Sequence, residues 1–114
     1  MTVATADNER IEQIMPRIVE TMAADPLCLE VRHYPASCEL SGEEKLHLLI
    51  LMERELKQAE RRERIQTLNE IAGEQGLRVD VIFSSPKVWR DLANLVGPFT
   101  RVQREAVVDW RRIT

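Results

Sequence analysis

The chain has 114 residues, 44% of them apolar and 31% charged, with a formal net charge of -3. That length is one ordinary domain, 1–114, large enough to bury a core without disulfide or metal staples, and the composition excludes a disordered or fibrous chain. The mildly acidic balance excludes a general electrostatic attraction to nucleic acid or to anionic membranes.

The small and polar residues 1–6 are expected to fray, and Thr2 to Asp7 offer neither the basic nor the apolar region of a secretory signal. From Asp7 onward Ile11, Ile14, Met15, Ile18, Val19 and Met22 recur at steps of three and four. That spacing predicts one helix over about 8–23, with Pro16 kinking it or ending it early. After Asp25-Pro26, Leu29, Val31 and His33 alternate with Glu30, Arg32 and Tyr34, the pattern of a strand. Residues 35–44 read as a loop short enough for a hairpin. Lys45 to Met52 form a second strand, with Leu46, Leu48, Ile50 and Met52 on one face and Lys45, His47, Leu49 and Leu51 on the other. Its near-continuous apolar run predicts an interior position, and it is too short to span a bilayer.

Glu53 to Gln75 are rich in helix formers, and Gly76 is the expected left-handed residue that closes that helix. The run Glu60-Arg61-Arg62-Glu63-Arg64 is more often a solvated helix face than a nucleic-acid contact. Leu77 to Ser84 alternate as a third strand. Ser85 is placed to cap the next helix, with Pro86 at its first position and Val88, Trp89, Leu92, Leu95 and Val96 on its apolar face. Gly97-Pro98 breaks that helix, and Glu105 to Arg111 read as a final short strand. The fold class is therefore α/β (α+β): a mixed four-stranded sheet with helices packed on it, in the order α-β-β-α-β-α-β. Cys28 and Cys38 lack disulfide or zinc spacing and are expected as free thiols, and Cys38 has no histidine base beside it. With no signal, a cytoplasmic location is expected.

The segment Val79-Asp80-Val81-Ile82-Phe83-Ser84-Ser85-Pro86-Lys87-Val88-Trp89 resembles the third strand and Ser-Pro-x-x-Trp helix start of the minimal nucleotidyltransferases, in the DNA polymerase beta-like superfamily. Pro98-Phe99-Thr100-Arg101, then Arg104-Glu105-Ala106-Val107-Val108, resembles that family's closing Pro-Phe-x-Arg and Arg-Glu-Gly-Val-Val pattern, with Ala106 where glycine is usual and one residue fewer between the halves. The motif-level similarity covers about 77–110, and the element order agrees along the chain.

The resemblance implies an active site built from three parts: a Gly-Ser pair after the first strand, an Asp-x-Asp pair on the second, and a carboxylate on the third. Together these would hold divalent metal and nucleotide phosphates, because hard cations demand oxygen ligands. Here the Gly-Ser position falls at His33-Tyr34 or Pro35-Ala36-Ser37, and the Asp-x-Asp position falls on Lys45-Leu46-His47. Asp80 alone is retained. Lys45, His47 and Asp80 are then the degenerate active-site positions, with no catalytic residue and no metal. Lys45, with His47, is expected to pair with Asp80 and replace the metal electrostatically; the alternative is a Lys45 that stays solvent-exposed at the strand start and pairs with nothing. Glu39, Glu43, Glu44, Glu53 and Glu55 lack the spacing to restore the site. His33 and His47 could take a transition metal with Asp80, although two such histidines are more often buried or paired.

The resemblance therefore implies a catalytically inactive nucleotidyltransferase-like domain without cofactor, acting as a binding, regulatory or oligomerising module. It would pair with a helical-bundle protein partner, as in toxin–antitoxin systems, or self-associate, and it would bind neither nucleic acid nor membrane. Trp89 and Trp110 are its candidate contact surfaces, set against an ordinary place in the core. The alternative is an active enzyme using Mg²⁺ and ATP to transfer a nucleotide to a small molecule, protein or RNA; a nucleotide sensor without turnover is a weaker third.

Overall fold

Cys28, Val31 and the even-numbered residues of 46–52 bury one face of a sheet beneath an amphipathic helix, and the rest of the fold is arranged around that contact. The computed structural model describes the backbone of residues 2–33, 45–93 and 106–113, and the side chains of 9–33, 45–91 and 106–113. The elements are α1 (Thr2–Ala23), β1 (Cys28–His33), β2 (Lys45–Met52), α2 (Gln58–Gly73), β3 (Arg78–Ser84), α3 (Pro86–Ala93) and β4 (Val107–Arg111). The fold is α+β, in the expected element order. The sheet order is β3-β2-β1-β4, with β2 inside as its apolar run requires. The short β1–β2 connection gives an antiparallel pair, the α2 crossover makes β2 and β3 parallel, and β4 returns antiparallel to β1.

α1 begins at Thr2, ahead of the expected start near Asn8 and through the stretch expected to fray, and it runs through Pro16 without ending there. An interior proline costs about 3 kcal/mol in a helix. Burial of Ile11, Ile14, Met15, Ile18 and Met22 on both sides of it contributes about 1.5–3 kcal/mol each, which is enough to hold the helix together. α2 starts at Gln58 rather than Glu53. Leu56 is buried as an anchor ahead of it, and the Glu60 carboxylate accepts the Lys57 N–H at 2.9 Å, satisfying a donor the first turn leaves open. At its other end Gly76 has φ 70, with its N–H on Gly73 O and the Leu77 N–H on Ala72 O, both at 3.0 Å. This is the Schellman closure that glycine makes without strain.

β1 departs from strict alternation. Cys28 pairs with Met52 and Glu30 with Leu51, so Leu29 is bulged, and Cys28 joins Val31 on the core face in place of the expected Leu29. A second bulge lies in β4: Val31 pairs with Trp110 and Arg32 with Val108, leaving Asp109 as the extra residue. α1 packs on β1, β4 and α2, α2 also packs on β3, and α3 lies against β2. Ser85 caps α3 as expected, accepting the Val88 N–H on Oγ at 3.4 Å and the Trp89 N–H on its carbonyl at 2.8 Å. Among the described residues no helix is long and apolar enough to cross a membrane. The expected Gly-Ser position after His33, the acids Glu39, Glu43 and Glu44, the thiol of Cys38, and the Pro98-Phe99-Thr100-Arg101 segment lie outside the described residues.

Candidate functional site

The two faces of the sheet differ in chemistry. One carries the core: Leu46, Leu48, Ile50 and Met52 of β2 between Val79, Val81 and Phe83 of β3 and Val31 of β1. The other carries Lys45, His47, Leu49 and Leu51, flanked by Arg78, Asp80, Ile82 and Ser84 on β3 and by Arg32 and Glu30 on β1. The expected site positions fall on this second face.

His47 and Asp80 are register partners on the parallel strands β2 and β3, and Lys45 is opposite Arg78. His47 Nδ1 lies 3.4 Å from Asp80 Oδ2. The imidazole is 18% exposed, with Nε2 buried, while the Asp80 side chain is 58% exposed. The partner that reaches Asp80 at a measured distance is therefore His47. Lys45 reaches the same neighbourhood from the strand's entry: Lys45, Arg78 and Asp80 share an open cleft of about 630 Å³ with Asn69 and Gly73 of α2. Asn69 Oδ1 accepts the Val79 N–H at 3.0 Å and fixes that corner. Among the described residues two cationic side chains and one carboxylate line the cleft, and their charge suits an anion better than a divalent cation.

The two histidines do not converge. His33 is opposite Leu48 and therefore shares the core face, whereas His47 is on the other. His33 Nδ1 donates instead to Asp109 Oδ2 at 2.7 Å. The three-residue transition-metal arrangement of His33, His47 and Asp80 is thus ruled out by the pleat. Among the described residues no group of three or more His, Cys, Asp or Glu side chains is gathered to hold a metal ion. Glu53 and Glu55 are exposed beyond the far end of β2, a strand's length from Lys45.

Beside the site is a constellation that alternation alone did not reveal. Glu30 is 4% exposed, and its carboxylate accepts Arg32 Nε and Arg111 Nε, each at 2.5 Å. The Arg32 guanidinium in turn stacks over the Trp89 ring, 4.9 Å from its centroid. A buried carboxylate needs such partners. The stack ties α3 to the sheet and accounts for the half-buried Trp89. The Glu30-x-Arg32 spacing was visible in the sequence as a same-face pair, but Arg111 joins it only because the β4 bulge turns it there. Trp110 packs against the core with Arg112 over its ring at 5.1 Å. Arg112 also donates to the carbonyls of Ala23, Asp25 and Cys28 at 2.9–3.1 Å, pinning the end of β4 to the α1–β1 turn.

Of the charged run on α2, Arg61, Arg62 and Glu63 are solvated, while Arg64 folds onto Asp25 at 2.6 Å and Glu60 takes a two-pronged contact from Arg54. Cys28 is a buried free thiol, and burial pushes its pKa up to about 11, so it is no nucleophile. Comparison with family models, with curated proteins and with solved structures finds no match for this chain.

Proposed function

We propose that the chain is a nucleotidyltransferase-like frame whose metal site has been overwritten, acting as a non-catalytic binding, regulatory or oligomerising module. One observation carries this reading: the contact of His47 Nδ1 with Asp80 Oδ2, 3.4 Å apart on adjacent parallel strands. On the resemblance, Asp80 is the third-strand carboxylate and Lys45 and His47 stand where two more carboxylates belong. Asp80 then faces imidazole and ammonium instead of oxygen ligands. Charge supports the same conclusion, since Lys45 and Arg78 line the cleft around Asp80 and oppose Mg²⁺ there. What such a frame offers is a surface, and its partner is a helical-bundle protein, as in toxin–antitoxin pairs, or a second copy.

Calorimetric titration with Mg²⁺ or Mn²⁺ and ATP tests the overwritten site. The expected result is no metal-dependent binding of ATP; tight metal-dependent binding, or transfer of labelled nucleotide, establishes the enzyme instead. The paired variant Lys45→Asp with His47→Asp returns two same-face carboxylates beside Asp80 and is expected to gain Mn²⁺ binding that the natural sequence lacks. Light scattering of the chain, alone and co-expressed with the product of the adjacent gene, tests the partner.

A further inference from the structure

A cavity of about 510 Å³ opens between α1 and β4, on the face of the sheet opposite Lys45, His47 and Asp80. Ile11, Met15 and Val107 give it apolar walls, and Glu12, His33 and Asp109 bring polar groups to it. Its volume lies in the range of small-molecule sites, about 300–1,000 Å³, and it shares their build of apolar walls with a few convergent polar groups.

Among the described residues of its lining, Glu12 and Asp109 supply two carboxylates and no lysine or arginine stands beside them. The Nδ1–H of His33 is committed to Asp109 Oδ2 at 2.7 Å, with both side chains more than four-fifths buried. That bond holds the His33 ring against Asp109 and keeps the Asp109 carboxylate at the cavity wall. Two carboxylates therefore call for a ligand head rich in donors and positively charged. The walls call for an apolar body. We infer that this cavity binds a small protonated organic amine, its ammonium held by the carboxylates of Glu12 and Asp109 and its apolar body lying on Ile11, Met15 and Val107. The inference is independent of the proposed function, because it uses none of the residues on the other face.

The experiment is an NMR titration of the full chain with phenethylamine, run beside 2-phenylethanol and 3-phenylpropionate. These probes share the aromatic body and differ in the head. Saturable shifts at the amides of 11–19, His33 and 107–109 are expected with the amine. The alcohol should bind about tenfold more weakly, and the carboxylate should not bind. Glu12→Gln, at an exposed position, should leave the spectrum folded and weaken the amine about tenfold or more. The absence of saturable binding by the amine overturns the inference. So does an alcohol or carboxylate that binds as well as the amine, or a Glu12→Gln variant with unchanged affinity.

Discussion

Two His–Asp pairs cross this sheet, one on each face, and they are unequal. His33 and Asp109 meet at 2.7 Å between antiparallel strands, both largely buried, whereas His47 and Asp80 are 3.4 Å apart between parallel strands with Asp80 58% exposed. The first is a hydrogen bond; the second exceeds the usual N–H···O range of about 2.7–3.2 Å and is a looser electrostatic contact. The residue types are the same, so the difference comes from backbone geometry. Asp109 is the extra residue of the β4 bulge, and bulges re-aim side chains. Asp80 is on an edge strand in regular register with His47, where the pleat offers no such adjustment. The contrast teaches that the bulge draws the first pair into a closed contact, while regular register leaves the carboxylate of the second in solvent.

The largest expected effect tests whether the packed face dominates. Leu48 is fully buried, opposite His33 on one side and Val81 on the other. Leu48→Ala should lower the unfolding free energy by about 3–4 kcal/mol in a urea titration. Leu49, one residue on and 1% exposed, points to the polar face beneath Arg32. A cost at Leu49→Ala clearly above that at Leu48→Ala would reverse the assignment of core and site faces.

Much of this was legible beforehand. The alternation of β2 gave both faces and the interior position of the strand; the Ser85-Pro86 start and Gly76 gave the ends of two helices; and the side chains of Lys45, His47 and Asp80 do lie near one another. What was not legible has one physical origin. A bulge adds one residue and flips every later side chain to the other face. No residue type in Cys28-Leu29-Glu30 or Val108-Asp109-Trp110 announces it. For that reason the core role of Cys28, the Glu30–Arg111 contact and the His33–Asp109 pair all escaped sequence reasoning. At Pro16 propensity left two outcomes, a kink or an early end, with helix expected on both sides; burial of the stripe on both sides keeps α1 continuous.

The pairs themselves give the middle effect. Asp109→Ala leaves the Nδ1–H of a largely buried imidazole without its acceptor and should cost about 1–2 kcal/mol. Asp80→Ala removes a solvated partner and should cost no more than about 1 kcal/mol. Chemical denaturation of the two variants side by side measures the difference. Equal costs would mean that the bulge contributes nothing to the first pair and that the comparison fails.

The smallest effect is confined to acid and asks whether geometry also sets strength away from histidine. Burial alone would push the Asp25 carboxyl up. Arg64 Nε, however, donates to it at 2.6 Å, the Leu27 N–H donates at 3.0 Å, and the Arg64 and Arg112 charges lie nearby, so its pKa is held below the ordinary value of 3.8. A carboxyl whose pKa is lowered by folding contributes stability that is complete above the unfolded value and is lost as pH falls through the folded one. Urea midpoints measured from about pH 6 to pH 2 should therefore fall less steeply in Asp25→Asn than in the natural chain, with the two curves converging in acid. Parallel curves would show that the Arg64 contact is no stronger in the folded state than water is, and that the α1–β1 turn is held by Arg112 and the backbone alone.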